Sequence, residues 1–249
     1  MYIVMKCLNE QHSVKRCIGD FHDEPWVEKI RVIDGRSSDF TVQELKQFSK
    51  VEVFVHEYLP WYHDAEIMQA NIMMSYVPNG SIFFSLDFDE RCSPELKLFL
   101  ADVDNKNLLP YGSDLVHIPR RTTECFRYNN GESSFAILGE DGWPVESHQI
   151  GQFPDYQPRL FRKSHKLHWC QSPHRVPLGY EKIYNVPHDQ GIYIEHFAKD
   201  DSRDRDWIEK RWLRPLATRK ALGLPSDLYD FQIKAEYAEA VNIDYWKDK

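Results

Sequence analysis

Three carboxylates, Asp87, Asp89 and Glu90, follow directly on an apolar run in the stretch SIFFSLDFDERCSPEL, residues 81–96. In an extended segment residues two apart face the same side, so the spacing D-x-D can aim Asp87 and Asp89 into one crevice. Hard oxygen donors of this kind suit Mg2+ or Mn2+, which bind through one or two carboxylates together with substrate phosphates. An ion held this way neutralises charge that develops on a phosphate leaving group. The plainer alternative is an acidic loop before a helix, where carboxylates meet the favourable end of the helix dipole. An isolated D-x-D is common by chance. A second acidic strand end, Asp34 after the apolar run 30–33, makes accident the poorer account.

Rigid elements must carry these groups, and the first hundred residues alternate strand-like and helix-like patterns. Apolar residues 2–8 read as a strand, and Val14, Cys17, Ile18 and Phe21 recur at helical spacing. Residues 30–33 read as a second strand, ending at DGRSSD, and TVQE has capping-box spacing through Thr41 and Glu44. Residues 51–55 read as a third strand, 63–76 as a helix and 82–86 as a fourth strand; Ser93-Pro94 then opens a helix. Strands alternating with helices imply right-handed crossovers and a mostly parallel sheet. Ligands of such a sheet bind outside the carboxyl ends of its strands. After Asp104 the pattern shifts to shorter β pieces at 115–118, 135–138, 159–161 and 166–169. From about Ser202 it turns helical, with Trp207, Ile208, Arg211 and Trp212 at helical spacing and Ser226 placed to cap a last helix.

With 249 residues, 42% hydrophobic and 14% aromatic, the chain can bury a sizeable core. A net charge of −8 argues against nucleic acid or an anionic membrane as main partner, since both demand a basic face. The five cysteines (Cys7, Cys17, Cys92, Cys125, Cys170) are odd in number and hold no C-x-x-C pair, so reduced thiols in the cytoplasm are expected. The N-terminal apolar run is too short for a signal peptide, and no transmembrane segment is expected.

Four pieces, VMKCLNE (4–10), IRVIDGRSSDFT (30–41), FFSLDFDERCSPEL (83–96) and YQPRLFRKSHKLHW (156–169), together resemble the family-2 nucleotide-sugar glycosyltransferases with the GT-A fold. The resemblance covers roughly residues 1–200. It implies an α/β fold: a Rossmann-like, mostly parallel central sheet flanked by helices, with a nucleotide-binding half at about 1–104 and an acceptor-side half at about 105–200. Residues 201–249 would form a helical C-terminal extension on the same domain. By position, it implies that Asn9 and Glu10 border the nucleotide pocket and that Asp34 contacts base or ribose. Asp87 would lie near ribose and metal, and Asp89 would be the more direct metal ligand. His196, in IYIEHF, would be a further ligand to Mn2+ or Mg2+, and Arg159, in PRLFR, would support the active-site wall or bind phosphate bidentately, with a structural salt bridge as the equal alternative. Trp61, Trp143 and Trp169 are aromatic candidates for a sugar platform, with core packing as the alternative.

The resemblance further implies an inverting, metal-dependent glycosyltransferase that moves a sugar from a nucleoside diphosphate donor, UDP before GDP, to a hydroxyl on a glycan, lipid-linked or protein acceptor. Relatives often carry a His-Glu pair where this chain has SPHRVP, with His174 followed by Arg175. That departure leaves Asp155, Asp141 and His174 as candidate bases. It also supports a rival reading, a carbohydrate- or protein-binding module that keeps the fold without turnover. A sugar-1-phosphate nucleotidyltransferase or a hydride-transferring Rossmann enzyme would want a glycine-rich loop after the first strand, and KCLNEQHS has none. In the tail, an apolar side bearing Trp207, Ile208 and Trp212 is expected to pack on the domain, with a homodimer as the alternative use.

Overall fold

A computed structural model describes residues 1–57, 65–125, 147–149, 153–170 and 176–198, with 220, 221 and 223. The chain begins β1 (Tyr2–Cys7), α1 (Val14–His22), β2 (Lys29–Asp34), α2 (Thr41–Leu45), β3 (Val51–Val55), α3 (Ala65–Ser75) and β4 (Ile82–Ser85). It continues through β5 (Glu90–Cys92), α4 (Pro94–Lys106), β6 (Leu115–Cys125), β7 (Ser147–Gln149), β8 (Asp155–Arg162), β9 (His168–Cys170), β10 (Val176–Leu178), β11 (Ile183–Asn185) and β12 (Ile194–Ala198). The ten-stranded sheet runs β3-β2-β1-β4-β8-β6-β12-β5, with β7 and β11 paired to β6.

The strands β3, β2, β1 and β4 are parallel, as the βαβ alternation predicts, and Cys7 stands level with Asp34 at their carboxyl ends. β1 is apolar but for Lys6, because both faces of the sheet are covered. Ile3 and Met5 point into a core shared with Ile18 and Phe21 of α1 and with Leu96 and Leu100 of α4. Tyr2 and Val4 point into a second core with Met73 and Met74 of α3, Phe161 and Trp169. The predicted segments at 135–138 and in the tail beyond residue 198 lie outside the described elements.

Helix α4 starts as its residues dictate. Ser93 accepts a hydrogen bond from the Leu96 amide, Pro94 occupies the first turn, and Asn107 closes the helix in a left-handed conformation. The capping box at α2 does not form. Phe40 is the N-cap and Asp39 takes the expected role of Thr41, accepting from the Thr41 amide at 3.0 Å and its hydroxyl at 2.5 Å. Thr41 is thereby free to accept the Glu10 amide at 2.7 Å, which ties the loop after β1 to the loop after β2.

The sheet must curl. β4 and β5 are separated by three strands in the sheet but only by residues 86–89 in sequence. Four strand steps in a flat sheet span about 19 Å, beyond the roughly 17 Å that five peptide units reach when fully extended. Here the link is not extended but turned, the Glu90 amide donating to the Asp87 carbonyl at 3.1 Å. β12 therefore comes round to pair β5 antiparallel, setting His196 opposite Glu90.

Candidate active site

The Asp87-Phe88-Asp89 segment is a tight turn and not the extended strand end that the spacing suggests. Phe88 is drawn into the core, 2% exposed, so the two aspartates flank it on the rim. Its carbonyl accepts from Arg16 Nη2 and from Cys17 Sγ, each at 2.9 Å, both from α1. Burial pushes the Cys17 thiol up to about 12, so it is a neutral donor. The Phe197 amide of β12 donates to the Asp89 carbonyl at 2.8 Å.

Arg159, on β8 beside β4, reaches Asp87 Oδ2 at 3.3 Å through Nη1 and bonds Glu90 Oε1 through Nη2. Glu90 also accepts the Asp87 amide at 3.0 Å. The Arg159 side chain is 7% exposed, and its fork faces two protein carboxylates. Burial opposes its charge, but Glu90 and Asp87 outweigh burial and raise its pKa. Burial pushes the Glu90 carboxyl above its usual range; Arg159 opposes this, while the charges of Asp87 and Asp89 add to it.

His196 and Asp89 converge, with Nε2 3.6 Å from Oδ2 and side chains 23% and 31% exposed. The other ring nitrogen, Nδ1, lies 3.3 Å from Thr122 Oγ1 on the neighbouring strand β6. Burial works against charge on His196, yet contact with Asp89, its charge and that of Glu90 raise the imidazole above its ordinary value, with Arg120 opposing. Two donors each about 2.1 Å from an octahedral ion stand about 3.0 Å apart when adjacent. The Asp89–His196 gap therefore fits an ion after a small side-chain adjustment. Among the described residues no group of three or more His, Cys, Asp or Glu side chains forms a complete cage, so an ion at Asp89 and His196 would take its remaining ligands from phosphate and water.

Asp34, expected at base or ribose, closes β2 at the carboxyl edge of the sheet, opposite Cys7. It is 1% exposed. Oδ2 accepts the amides of Arg36 and Ser37, both at 2.9 Å, while Oδ1 accepts Ser37 Oγ at 2.5 Å and Cys7 Sγ at 3.6 Å. All four acceptor positions of the carboxylate are thus used inside the chain. Burial, then the charge of Asp34, drives the Cys7 thiol far above its ordinary value and keeps it a donor. Asn9 is exposed and in the left-handed region, φ 57°, with its side-chain oxygen 2.8 Å from the Ser38 amide. Asn9 and Glu10 thus stand at the carboxyl edge, where a ligand of a parallel sheet would lie.

Of the candidate bases, Asp155 opens β8. Its Oδ2 accepts from Arg120 Nε at 2.9 Å and Nη2 at 2.6 Å, and Gln157 donates to Oδ1 at 2.8 Å. Asp141 and His174 lie outside the described residues, as do Trp61 and Trp143. Trp169 is 6% exposed and packs edge-on against Phe161, a core residue and no sugar platform. Arg120, Thr122 and Arg16 escape sequence reasoning because no motif marks them. Only the pairing of β6 with β8 and β12, and the docking of α1, bring them to the turn. A separate open groove of about 660 Å³, between Trp26 and α4, shares no residue with this cluster.

No family model matches the chain, and no curated protein does. Solved structures do. TarS of S. aureus, residues 1–349, aligns over 100% of this chain and 75% of its own, with TM-score 0.50 and 13% identity. The same fragment in complex with UDP aligns over 98% and 74%, with TM-score 0.50 and 11% identity. The longer TarS structure aligns over 100% of this chain and 45% of its own, with TM-score 0.50 and 14% identity. The likeness shows the fold. It is the GT-A fold, an α/β architecture with a curled, mostly parallel central sheet and flanking helices. Among the described residues no helix is long and apolar enough to cross a membrane.

Proposed function

We propose that the protein is a metal-dependent, inverting glycosyltransferase of the family-2 kind, moving a sugar from a nucleoside diphosphate to a hydroxyl acceptor. The observation that carries the reading is the convergence of Asp89 and His196 at 3.6 Å, from a turn and a strand 107 residues apart, at the carboxyl edge of the sheet. UDP is the preferred nucleotide, supported by the UDP complex of the structural neighbour TarS. Asp89 and His196 would hold Mn2+ or Mg2+, which supplies charge neutralisation to a diphosphate leaving group.

The chain's own residues do the rest. Arg159 and Glu90 fix Asp87, and with it the turn, so that the donor meets a preorganised edge. Asn9 and Glu10 border the nucleotide. Asp155 takes the proton of the acceptor hydroxyl as its oxygen bonds to the anomeric carbon, while the bond from that carbon to the diphosphate oxygen breaks. The proton ends on Asp155 and the electron pair leaves with the nucleoside diphosphate. A glycan, lipid-linked or protein hydroxyl would serve as acceptor. The described free cysteines, Cys7, Cys17, Cys92 and Cys170, suit a reducing, cytoplasmic setting.

The test is a panel of nucleoside diphosphates and their sugars, with and without Mn2+, followed by thermal unfolding and by nucleotide release. A ligand at 100 times its Kd adds about 2.7 kcal/mol, or roughly 5–10 °C for a chain of this size. Asp89→Asn and His196→Gln should remove the Mn2+-dependent part. A panel in which no nucleotide raises the transition with Mn2+ present refutes the reading; binding without turnover selects the non-catalytic module instead.

A further inference from the structure

We propose that Arg120 is a positioning residue that holds Asp155 as the base and ties it, through Glu90, to the donor-side turn. The inference rests on the transferase reading above, with Asp155 as its base.

Arg120 and Asp155 face each other directly across the antiparallel pair β6–β8. Two nitrogens of the guanidinium, Nε and Nη2, converge on Oδ2 of the carboxylate at 2.9 and 2.6 Å. The third nitrogen, Nη1, turns the other way, to Glu90 Oε1 at 3.7 Å. Glu90 is 1% exposed and already bonded to Arg159 and to the Asp87 amide, so it does not move independently of the turn. One rigid fork therefore spans a carboxylate of the donor turn and a carboxylate of β8. Gln157 fixes the other oxygen, Oδ1, at 2.8 Å, which restricts rotation of the Asp155 carboxylate.

Both oxygens are anchored, yet the carboxylate keeps an acceptor position. An ionised carboxylate offers about four lone-pair sites. Among the described residues two on Oδ2 face Arg120 and one on Oδ1 faces Gln157, which leaves one on Oδ1. The Asp155 side chain is 38% exposed, so that position can meet an acceptor hydroxyl or water. A base held in one orientation contributes through geometry, and small misplacements cost large factors in rate. The fork shape is specific to arginine: lysine keeps the charge but presents one point donor.

The experiment uses the full chain, the nucleotide sugar selected by the panel above with Mn2+, and water as acceptor, reading nucleoside diphosphate release. Asp155→Asn should lower kcat by about 100-fold or more, the lower range for general-base catalysis. Arg120→Gln should lower kcat at least tenfold, and Arg120→Lys should recover part of it with the charge kept. In Arg120→Lys the Kd for the nucleoside diphosphate with Mn2+ should stay within about threefold of the parent. The double variant Arg120→Gln/Asp155→Asn should be no slower than Asp155→Asn alone, because the arginine acts through the aspartate.

Losses that multiply in the double variant overturn the positioning role, as does a fall in nucleotide affinity for Arg120→Lys in step with its rate. Equal rates for Arg120→Lys and the parent overturn the requirement for a fork. A parent-like rate in Asp155→Asn sinks the base assignment instead. No release from any panel member sinks the transferase reading on which both stand. Thermal unfolding of each variant, with Arg120→Lys as the mildest change, separates these results from loss of fold.

Discussion

Arg159→Met removes the buried cation between Asp87 and Glu90 while keeping an unbranched side chain of similar reach. Deleting one partner of a buried ion pair costs about 3–5 kcal/mol, because the remaining charge is left without compensation. Glu90, 1% exposed, would retain the Asp87 amide at 3.0 Å and Arg120 at 3.7 Å, which places the expected loss at the lower end, about 3 kcal/mol. For a chain of this length that corresponds to a fall of roughly 6–12 °C in Tm. Urea unfolding at neutral pH reads the free energy, and Arg159→Met/Glu90→Gln reads the coupling. Neutralising Glu90 should return about half of the loss, since the stranded charge is its main source. A loss under about 1 kcal/mol, the worth of a solvent-screened surface pair, would refute the reasoning. Strict additivity in the double variant would do the same.

Asp34→Asn should cost about 2 kcal/mol in urea unfolding, because an amide cannot accept all four donors that surround it, while nucleotide affinity of the folded protein changes by less than about threefold. His196→Gln should show a pH-dependent deficit. The folded imidazole is raised by Asp89 and Glu90, against burial and Arg120, so its protonated form stabilises the fold. That contribution is complete below the unfolded value of about 6.5 and fades as pH rises through the folded value. Urea curves of parent and variant should therefore differ at pH 5.5 and converge by pH 9; a gap that widens with pH would contradict the assignment. Ser93→Ala should cost about 1 kcal/mol by loss of the bond to the Leu96 amide, measured in the same way.

The parallel strands and their helices were legible because local rules and the fold agree: β1 is apolar on both faces over residues 2–5, and Ser93-Pro94 caps α4 as such pairs do. The position of the acidic turn at a strand end was legible for the same reason. Its shape was not, since a period-two rule presumes an extended chain and the burial of Phe88 turns it. The internal use of Asp34 and Arg159 was hidden because a carboxylate or guanidinium in a motif looks the same whether it faces ligand or protein. Thr41 and Asp39 were confused because both can cap, and the amide of Glu10, 31 residues before Thr41, decides between them. Arg120 and Thr122 depend wholly on strand pairing between distant segments, which no local pattern encodes.

The pairing of β12 with β5 sets an order of events during synthesis. A ribosome that has released residues 1–104 has made Asp87, Asp89 and Glu90, but among the described strands β5 pairs only with β12, which begins at Ile194. Arg159, the counter-charge for Glu90, arrives more than fifty residues after that point. Until then the nascent chain carries three clustered carboxylates without their strand or their cation. Residues 1–104 therefore do not complete the acidic turn by themselves, because its strand partner and its buried cation both come from later in the chain.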